Sequence, residues 1–384
     1  MSGLAVGIVC YPSFGGSGVV AAELAAGLAA RGHRVHLIAS APPSRALREG
    51  ERLRLHVVRA PDYPVFEHPP HELALAGAIV EVATAERLDL LHVHYAVPHA
   101  ASAHLARQTL GAAAPRCVVT LHGTDVTRVG LEPAYQAVTR FAVGAADQVT
   151  VPSAFLRGEA AHLLGAAAAE RIEVIPNFVD PTAFRPPPAV QRARFDVLFP
   201  AAVEAGPVLF HVSNFRPVKR PTDLVEVLAR LRRRVPARLV LVGDGPERTA
   251  TAARARALGV ADAVCFLGPL TDLGELLPHA DAFLLTSESE SFGVAALEAL
   301  SAGVPVFAYR VGGLPDVVAP GTGALVEPFD VAALADAVHA AVTTAPRRAA
   351  LGRAARAHAV AHFSRDAALD RYEACFRRVL AAAP

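Results

Sequence analysis

Glu290 and Glu298 are two carboxylates that bracket the start of a helical segment, Gly293 to Leu300. At ~1.5 Å rise per residue their eight-residue spacing separates them by roughly 12 Å. That suits a ligand with hydroxyls at both ends and a diphosphate between. Upstream, Asp281 to Leu285 reads as a buried strand, and a Ser/Glu loop leads from it into the helix. Ser289 or Ser291 is the expected N-cap, since a hydroxyl there accepts from the free N–H groups of the first turn. An open helix N-terminus offers unpaired N–H groups and a partial positive charge to an anion. A capped surface helix with solvated glutamates is the alternative these residues leave open.

The loop Asn214-Phe215-Arg216-Pro217-Val218-Lys219-Arg220 follows another apolar run, Val208 to Val212. Cations at a strand's carboxyl end are what a diphosphate needs, Arg binding through two donors at once and Lys acting as a point charge. A solvated basic loop is the plainer alternative. Arg232, Arg233 and Arg234 close a helix, where cations favour the dipole. His122 ends a strand directly before Gly123-Thr124-Asp125, a position that opens onto a ligand crevice. His92 and His94 share one face of a strand. With His99 they lack a Cys, Asp or Glu partner at ligand spacing, so hydrogen-bonded strand-end histidines are expected there, and no metal. The turn Gly15-Gly16-Ser17-Gly18 fits neither the dinucleotide nor the nucleoside-triphosphate fingerprint. Its glycines serve a tight turn or let backbone approach a ligand. No nucleophile signature appears in a recognisable context.

Strands and helices alternate throughout. Leu4 to Tyr11, Arg34 to Ala39, Arg54 to Val58, Leu88 to Tyr95, Cys117 to Leu121, Gln148 to Pro152 and Ile172 to Ile175 read as strands. Helices are expected at Val19 to Arg31, Pro69 to Arg87, His99 to Leu110, Tyr135 to Val143 and Ala154 to Leu164. Near-continuous apolar runs mark parallel strands covered on both faces. Pro176 to Ala205, with its Pro186-Pro187-Pro188 triplet, breaks the pattern and reads as a connection. A second series follows, with strands at Arg238 to Gly243, Val264 to Leu267 and Val304 to Ala308, and a last helix at Arg365 to Ala382. The expected class is α/β, two doubly wound (Rossmann-like) domains facing across a cleft. Their expected bounds are 1–180, a linker 181–205, 206–362, and a C-terminal helix 363–384 packing back on the first domain.

Bulk properties bound the rest. At 384 residues the chain exceeds one ordinary core, and 53% hydrophobic with 19% charged residues excludes disorder. With 37 basic against 36 acidic residues, no global field draws in nucleic acid or anionic lipid. No apolar stretch reaches the ~18 residues of a membrane span, and the N-terminus has no basic leader. Cys10, Cys117, Cys265 and Cys375 are scattered, which reads as inert thiols in a reducing cytosol. A soluble, cytoplasmic protein is expected.

The chain resembles the GT-B-fold retaining glycosyltransferases of family 4. The resemblance rests on Glu290-x7-Glu298 with the stretch Ala280 to Gly293 that leads into it, on Val242-Gly243-Asp244-Gly245-Pro246-Glu247, on Val174 to Asp180, and on Gly312-Gly313-Leu314-Pro315-Asp316. Four further stretches are similar to the branch that glycosylates L-malate at the first step of bacillithiol biosynthesis: Gly15 to Gly18, His92 to Ala100, Leu121 to Thr127, and Ser213 to Arg220.

The resemblance implies transfer of N-acetylglucosamine from UDP-N-acetylglucosamine to L-malate with the α-configuration retained. The N-terminal domain would bind the acceptor and the C-terminal domain the nucleotide sugar. Glu290 would hold donor-sugar hydroxyls and Glu298 the ribose, while Phe292, Gly293 and Val294 offer backbone N–H groups. Arg216 and Lys219 would neutralise the diphosphate. Asn214 stands where many members carry Arg. His122 would meet the donor sugar, and Gly15 and Gly16 would let the first loop approach the phosphate or acceptor. Ser17, Tyr95, Thr124 and Arg128 are the acceptor-binding candidates. No cofactor or metal is implied, nor nucleic acid or membrane as partner, and a homodimer is compatible. Another acceptor (an inositol phosphate, a lipid-linked sugar or a glycan), UDP-sugar epimerase chemistry, and a non-catalytic UDP-sugar-binding protein are the alternatives.

Overall fold

The computed structural model describes residues 3–12, 16–43, 49–62, 64–165, 170–187 and 197–382. Gly15, Pro188 and the 189–196 part of the expected linker lie outside the described residues. The chain divides into two units, one formed by 1–177 with 365–384, the other by 178–364.

In the first unit β1 (Ala5–Val9), β2 (Arg34–Ala39), β3 (Leu53–Val57), β4 (Leu90–His94), β5 (Arg116–Thr120), β6 (Gln148–Val151) and β7 (Ile172–Val174) form one sheet, ordered β3-β2-β1-β4-β5-β6-β7. Every pairing is parallel. β1 and β4 are buried along their whole length, whereas edge strands β3 and β7 are half-exposed, as covered central strands require. The C-terminal helix Arg365–Ala381 belongs to this unit and buries Leu369, Tyr372, Cys375 and Phe376. Arg31 reaches Asp370 at 2.6 Å and Arg116 donates to the Ala382 carbonyl at 2.8 Å, fastening the helix at both ends.

The second unit carries β8 (Val208–Val212), β9 (Arg238–Val242), β10 (Val264–Gly268), β11 (Ala282–Leu285), β12 (Val306–Tyr309) and β13 (Gly323–Val326), in the order β10-β9-β8-β11-β12-β13. Again all pairings are parallel. Each unit has its own apolar core.

Several local expectations are corrected. The described parts of the expected linker are packed rather than free, since Phe184, Phe199 and Val203 are buried in the second core. Arg356 holds the segment's backbone, donating to the carbonyls of Phe184 at 2.6 Å and Pro181 at 2.8 Å. A proline-rich run lacks periodicity, yet its aromatic side chains still seek burial. The first helix runs over Gly16–Ala30, so Gly16 and Ser17 lie in its first turn and not in a loop. The helix after β11 is Val294–Ser301, and its N-cap is Gly293 in the left-handed region at φ 96°, not Ser289 or Ser291. Helical rise therefore applies only beyond Gly293, and the ~12 Å separation of Glu290 and Glu298 does not carry over.

Candidate functional site

In a doubly wound sheet the crevice for ligands opens where the strand order reverses, beyond the carboxyl ends. In the second unit that point lies between β8 and β11. The loops leaving those two strands are the basic loop and the Ser/Glu loop, and they are tied together. The Thr286 hydroxyl donates to the carbonyls of Lys219 and Arg220 at 3.1 and 3.0 Å, and the Glu288 N–H donates to the Val218 carbonyl at 2.8 Å. Lys219 Nζ lies 2.6 Å from Glu290 Oε1, and the buried Ser287 hydroxyl donates to the same oxygen at 2.7 Å. From the next loop, the Gly313 N–H donates to the Glu290 carbonyl at 2.8 Å. Gly312 (φ 53°) leaves no room for a side chain, because a Cβ there would stand 1.9 Å from that carbonyl oxygen. The result is a carboxylate fixed through both backbone and side chain beside a fixed ammonium.

The remaining candidates of this unit divide sharply. Arg220 is structural. It pairs with Asp223 at 2.8 Å and Glu288 at 3.2 Å, and Tyr309 donates to Asp223 from below. Arg216 and Asn214 are exposed on the same loop, flanking Phe215, which is buried in the core. Glu298 is buried on the helix after Gly293. Phe292 is buried too, its ring edge-on to Phe363 at 5.8 Å, so it anchors the loop while its backbone precedes the open helix end.

The first unit reverses strand order between β1 and β4. Tyr95 follows β4 at φ 89°, its hydroxyl bonded to that of Thr124. The Tyr11 ring lies 5.2 Å from that of Tyr95 and 4.2 Å from that of His99. His122 is half-buried and shares a 2.9 Å hydrogen bond between its Nε2 and His94 Nδ1. Burial lowers His122 and His92 to about 3 and His99 to about 4, so these rings are neutral. Asp125 accepts from the backbone N–H groups of His122, Gly123 and Ala96 at 2.7–3.1 Å, joining the loops after β4 and β5. Burial pushes its carboxyl up to about 6 against the pull of those donors. Arg128 is exposed. Among the described residues no cluster of three His, Cys, Asp or Glu could hold a metal ion, and no helix is long and apolar enough to cross a membrane.

Residues 14–183 match the family described as Glycosyltransferase Family 4, and residues 199–358 that described as Glycosyl transferases group 1. The chain is 39% identical to N-acetyl-alpha-D-glucosaminyl L-malate synthase of Bacillus anthracis, over 98% of this chain and 97% of that one. The chain belongs to glycosyltransferase family 4. It is also 32% identical to D-inositol 3-phosphate glycosyltransferase of Stackebrandtia nassauensis, over 90% of this chain and 83% of that protein. Its fold is GT-B, shared with HepE of Anabaena in complex with UDP-glucose (TM-score 0.80, 20% identity, 98% of this chain and 100% of that). Sucrose-phosphate synthase from Thermosynechococcus elongatus shares it as well (TM-score 0.78, 24% identity, 99% and 100%).

Three residues of this glycosyltransferase that shape the site escape a linear reading. Ser287 looks like loop filler until its hydroxyl is seen on Glu290. His94 looks like a core histidine until it is seen on His122. Asp125 was visible within Gly123-Thr124-Asp125, but its three donors come from two separate loops. Asp125→Ala would strand those buried donors, and should cost the glycosyltransferase's first unit about 3 kcal/mol. Urea unfolding of the variant against the parent measures it, and a loss within experimental scatter would refute the bracing role.

Proposed function

We propose that this glycosyltransferase moves N-acetylglucosamine from UDP-N-acetylglucosamine to the hydroxyl of L-malate, retaining the α-configuration. The likeness to the malate synthase across nearly the full length of both chains carries this reading. The site agrees with it. Lys219 and Arg216 would face the diphosphate, with Asn214 beside them. Glu290 would hold sugar hydroxyls through the oxygen that Lys219 and Ser287 leave open. Phe292, Gly293 and Val294 would offer backbone N–H groups, and Glu298 would take the ribose. His122 and Gly16 would meet the donor, and Ser17, Tyr95, Thr124 and Arg128 the malate.

Chemically, the bond from C1 to the β-phosphate oxygen breaks as the malate oxygen bonds to C1 on the same face. The departing phosphate oxygen takes the malate hydroxyl's proton, so atoms and charge balance without a protein base. The protein supplies positioning and stabilises the charge on UDP. No cofactor or metal has a role in this scheme. Burial pushes the Cys10, Cys117 and Cys375 thiols up to about 12 and so keeps them unreactive, and a cytoplasmic location is part of this reading. A homodimer is compatible with this reading.

The decisive assay incubates the enzyme with UDP-N-acetylglucosamine and either L-malate or an inositol phosphate, following UDP and glycosylated product by mass spectrometry. One glycosyl-malate per UDP is expected. Malate-independent UDP release, or preference for the inositol phosphate, would refute the acceptor. Glu298→Gln should weaken UDP binding about tenfold with a smaller change in kcat. Calorimetry with UDP checks that, and unaltered affinity would remove Glu298 from the ribose site.

A further inference from the structure

We propose that His94 is a positioning residue that fixes the tautomer of His122, making His122 Nδ1 an obligate hydrogen-bond donor to a ligand oxygen. The 2.9 Å contact between His94 Nδ1 and His122 Nε2 needs a proton on one nitrogen and a lone pair on the other. Which arrangement holds is decided on the far side of His94. Its Nε2 is buried and has no hydrogen-bond partner among the described residues. Were the proton on that nitrogen, a buried N–H would go unsatisfied. An orphaned donor is rarer and costlier in folded proteins than an under-used lone pair. The proton of neutral His94 therefore sits on Nδ1 and is donated to His122. His122 Nε2 accepts, so its own single proton is on Nδ1.

The surroundings hold His94 in this role. The Nδ1–H of His99 donates to the His94 carbonyl at 2.8 Å, pinning the backbone. The His92 ring stacks 4.3 Å away but is committed elsewhere, its Nε2 lying 2.7 Å from the Thr120 hydroxyl. That hydroxyl is in turn 2.6 Å from Thr150 Oγ1. By the same reasoning His92, whose Nδ1 is also buried without a partner, carries its proton on Nε2. Among the described residues nothing competes with His122 for the proton of His94. His122 is then suited to grip a sugar hydroxyl or phosphate oxygen as a neutral donor. It cannot accept a proton through Nδ1, which excludes it as a general base there. The catalytic consequence rests on the proposed placement of His122 against the donor. The tautomer does not.

The test uses the full-length protein labelled with nitrogen-15 histidine, in two-dimensional proton–nitrogen NMR at neutral pH, with the His122→Gln spectrum assigning the signal. His122 should show a pyrrole-type Nδ1 and a pyridine-type Nε2, and the reverse pattern would overturn the proposal. His94→Leu should release His122 to a mixture of tautomers and lower kcat about tenfold with little change in donor KM. His94→Asn, whose side-chain amide can occupy the place of Nδ1–H, should restore both. An unshifted His122 signal in His94→Leu would also overturn it. Undiminished turnover in His122→Ala would remove His122 from the donor site instead, leaving the NMR result as the measure of the tautomer.

Discussion

Lys219→Ala should lower kcat by about a hundred- to a thousandfold, the usual cost of removing one group aimed at charge that develops in a transition state. Lys219 is the cation of its loop best placed for that work. Its loop is tied by the Thr286 hydroxyl and its ammonium is fixed 2.6 Å from Glu290. Arg220 is spent on Asp223 and Glu288. The charge on the leaving UDP grows as the sugar bond breaks, so the ground-state complex should suffer far less, with UDP affinity falling about tenfold at most. Single-turnover rates and UDP binding, measured side by side, separate the two. Near-normal turnover would sink the electrostatic role. Since Glu290 loses its cation in the same variant, Lys219→Ala and Glu290→Gln should be strongly non-additive, and additive losses would mean the pair does not act as one unit.

Acid should unfold the first unit before the second. His92, His94 and His99 are fully buried, and burial holds all three well below their ordinary 6.5. A histidine that charges in the unfolded chain but stays neutral when folded stabilises the fold above 6.5. That contribution drains away as pH falls toward the folded value. By pH 5 a histidine held at about 3 to 4 costs about 2 kcal/mol, so His92, His122 and His99 together cost about 6, and His94 acts in the same direction. Asp125 works the other way. Its folded value of about 6 lies above the ordinary 3.8, so it takes up a proton first in the folded state, returning about 1 kcal/mol between pH 7 and 5. The net loss of about 5 kcal/mol is a large share of a domain's usual stability. In the second unit, burial holds His211 at about 4, and its share is about 2 kcal/mol. Hydrogen exchange by mass spectrometry at the two pH values, corrected for intrinsic rate, should show protection collapsing in β4 and β5 ahead of β8 and β9. Equal losses would refute the account.

Much of this was legible in the chain. Arg34–Ala39 and Ala154–Leu164 have the bounds their patterns predict, and in the fold the Ser153 hydroxyl accepts from the Leu156 N–H to fix the start of the second. β13 leaves little mark in the sequence, being four half-exposed residues at a sheet edge. Two serines suggested the cap before Val294, whereas the chain turns on Gly293, the residue without a Cβ penalty at positive φ. The site was legible as residue types but not as partnerships. Lys219 and Glu290 are 71 positions apart and His94 and His122 are 28 apart, and only the parallel strand pairing brings either pair into contact.

The first unit closes with the last helix of the chain, so Tyr372 and Phe376 reach His92 only after everything between has been made. On a ribosome the second unit, 178–364, is synthesised whole while the first still lacks 365–384. At about 5–20 residues per second the wait is on the order of ten to forty seconds, during which the face of the first sheet destined for that helix stays uncovered. What is synthesised first is completed last, because the first sheet waits for a helix made only after the whole of 178–364.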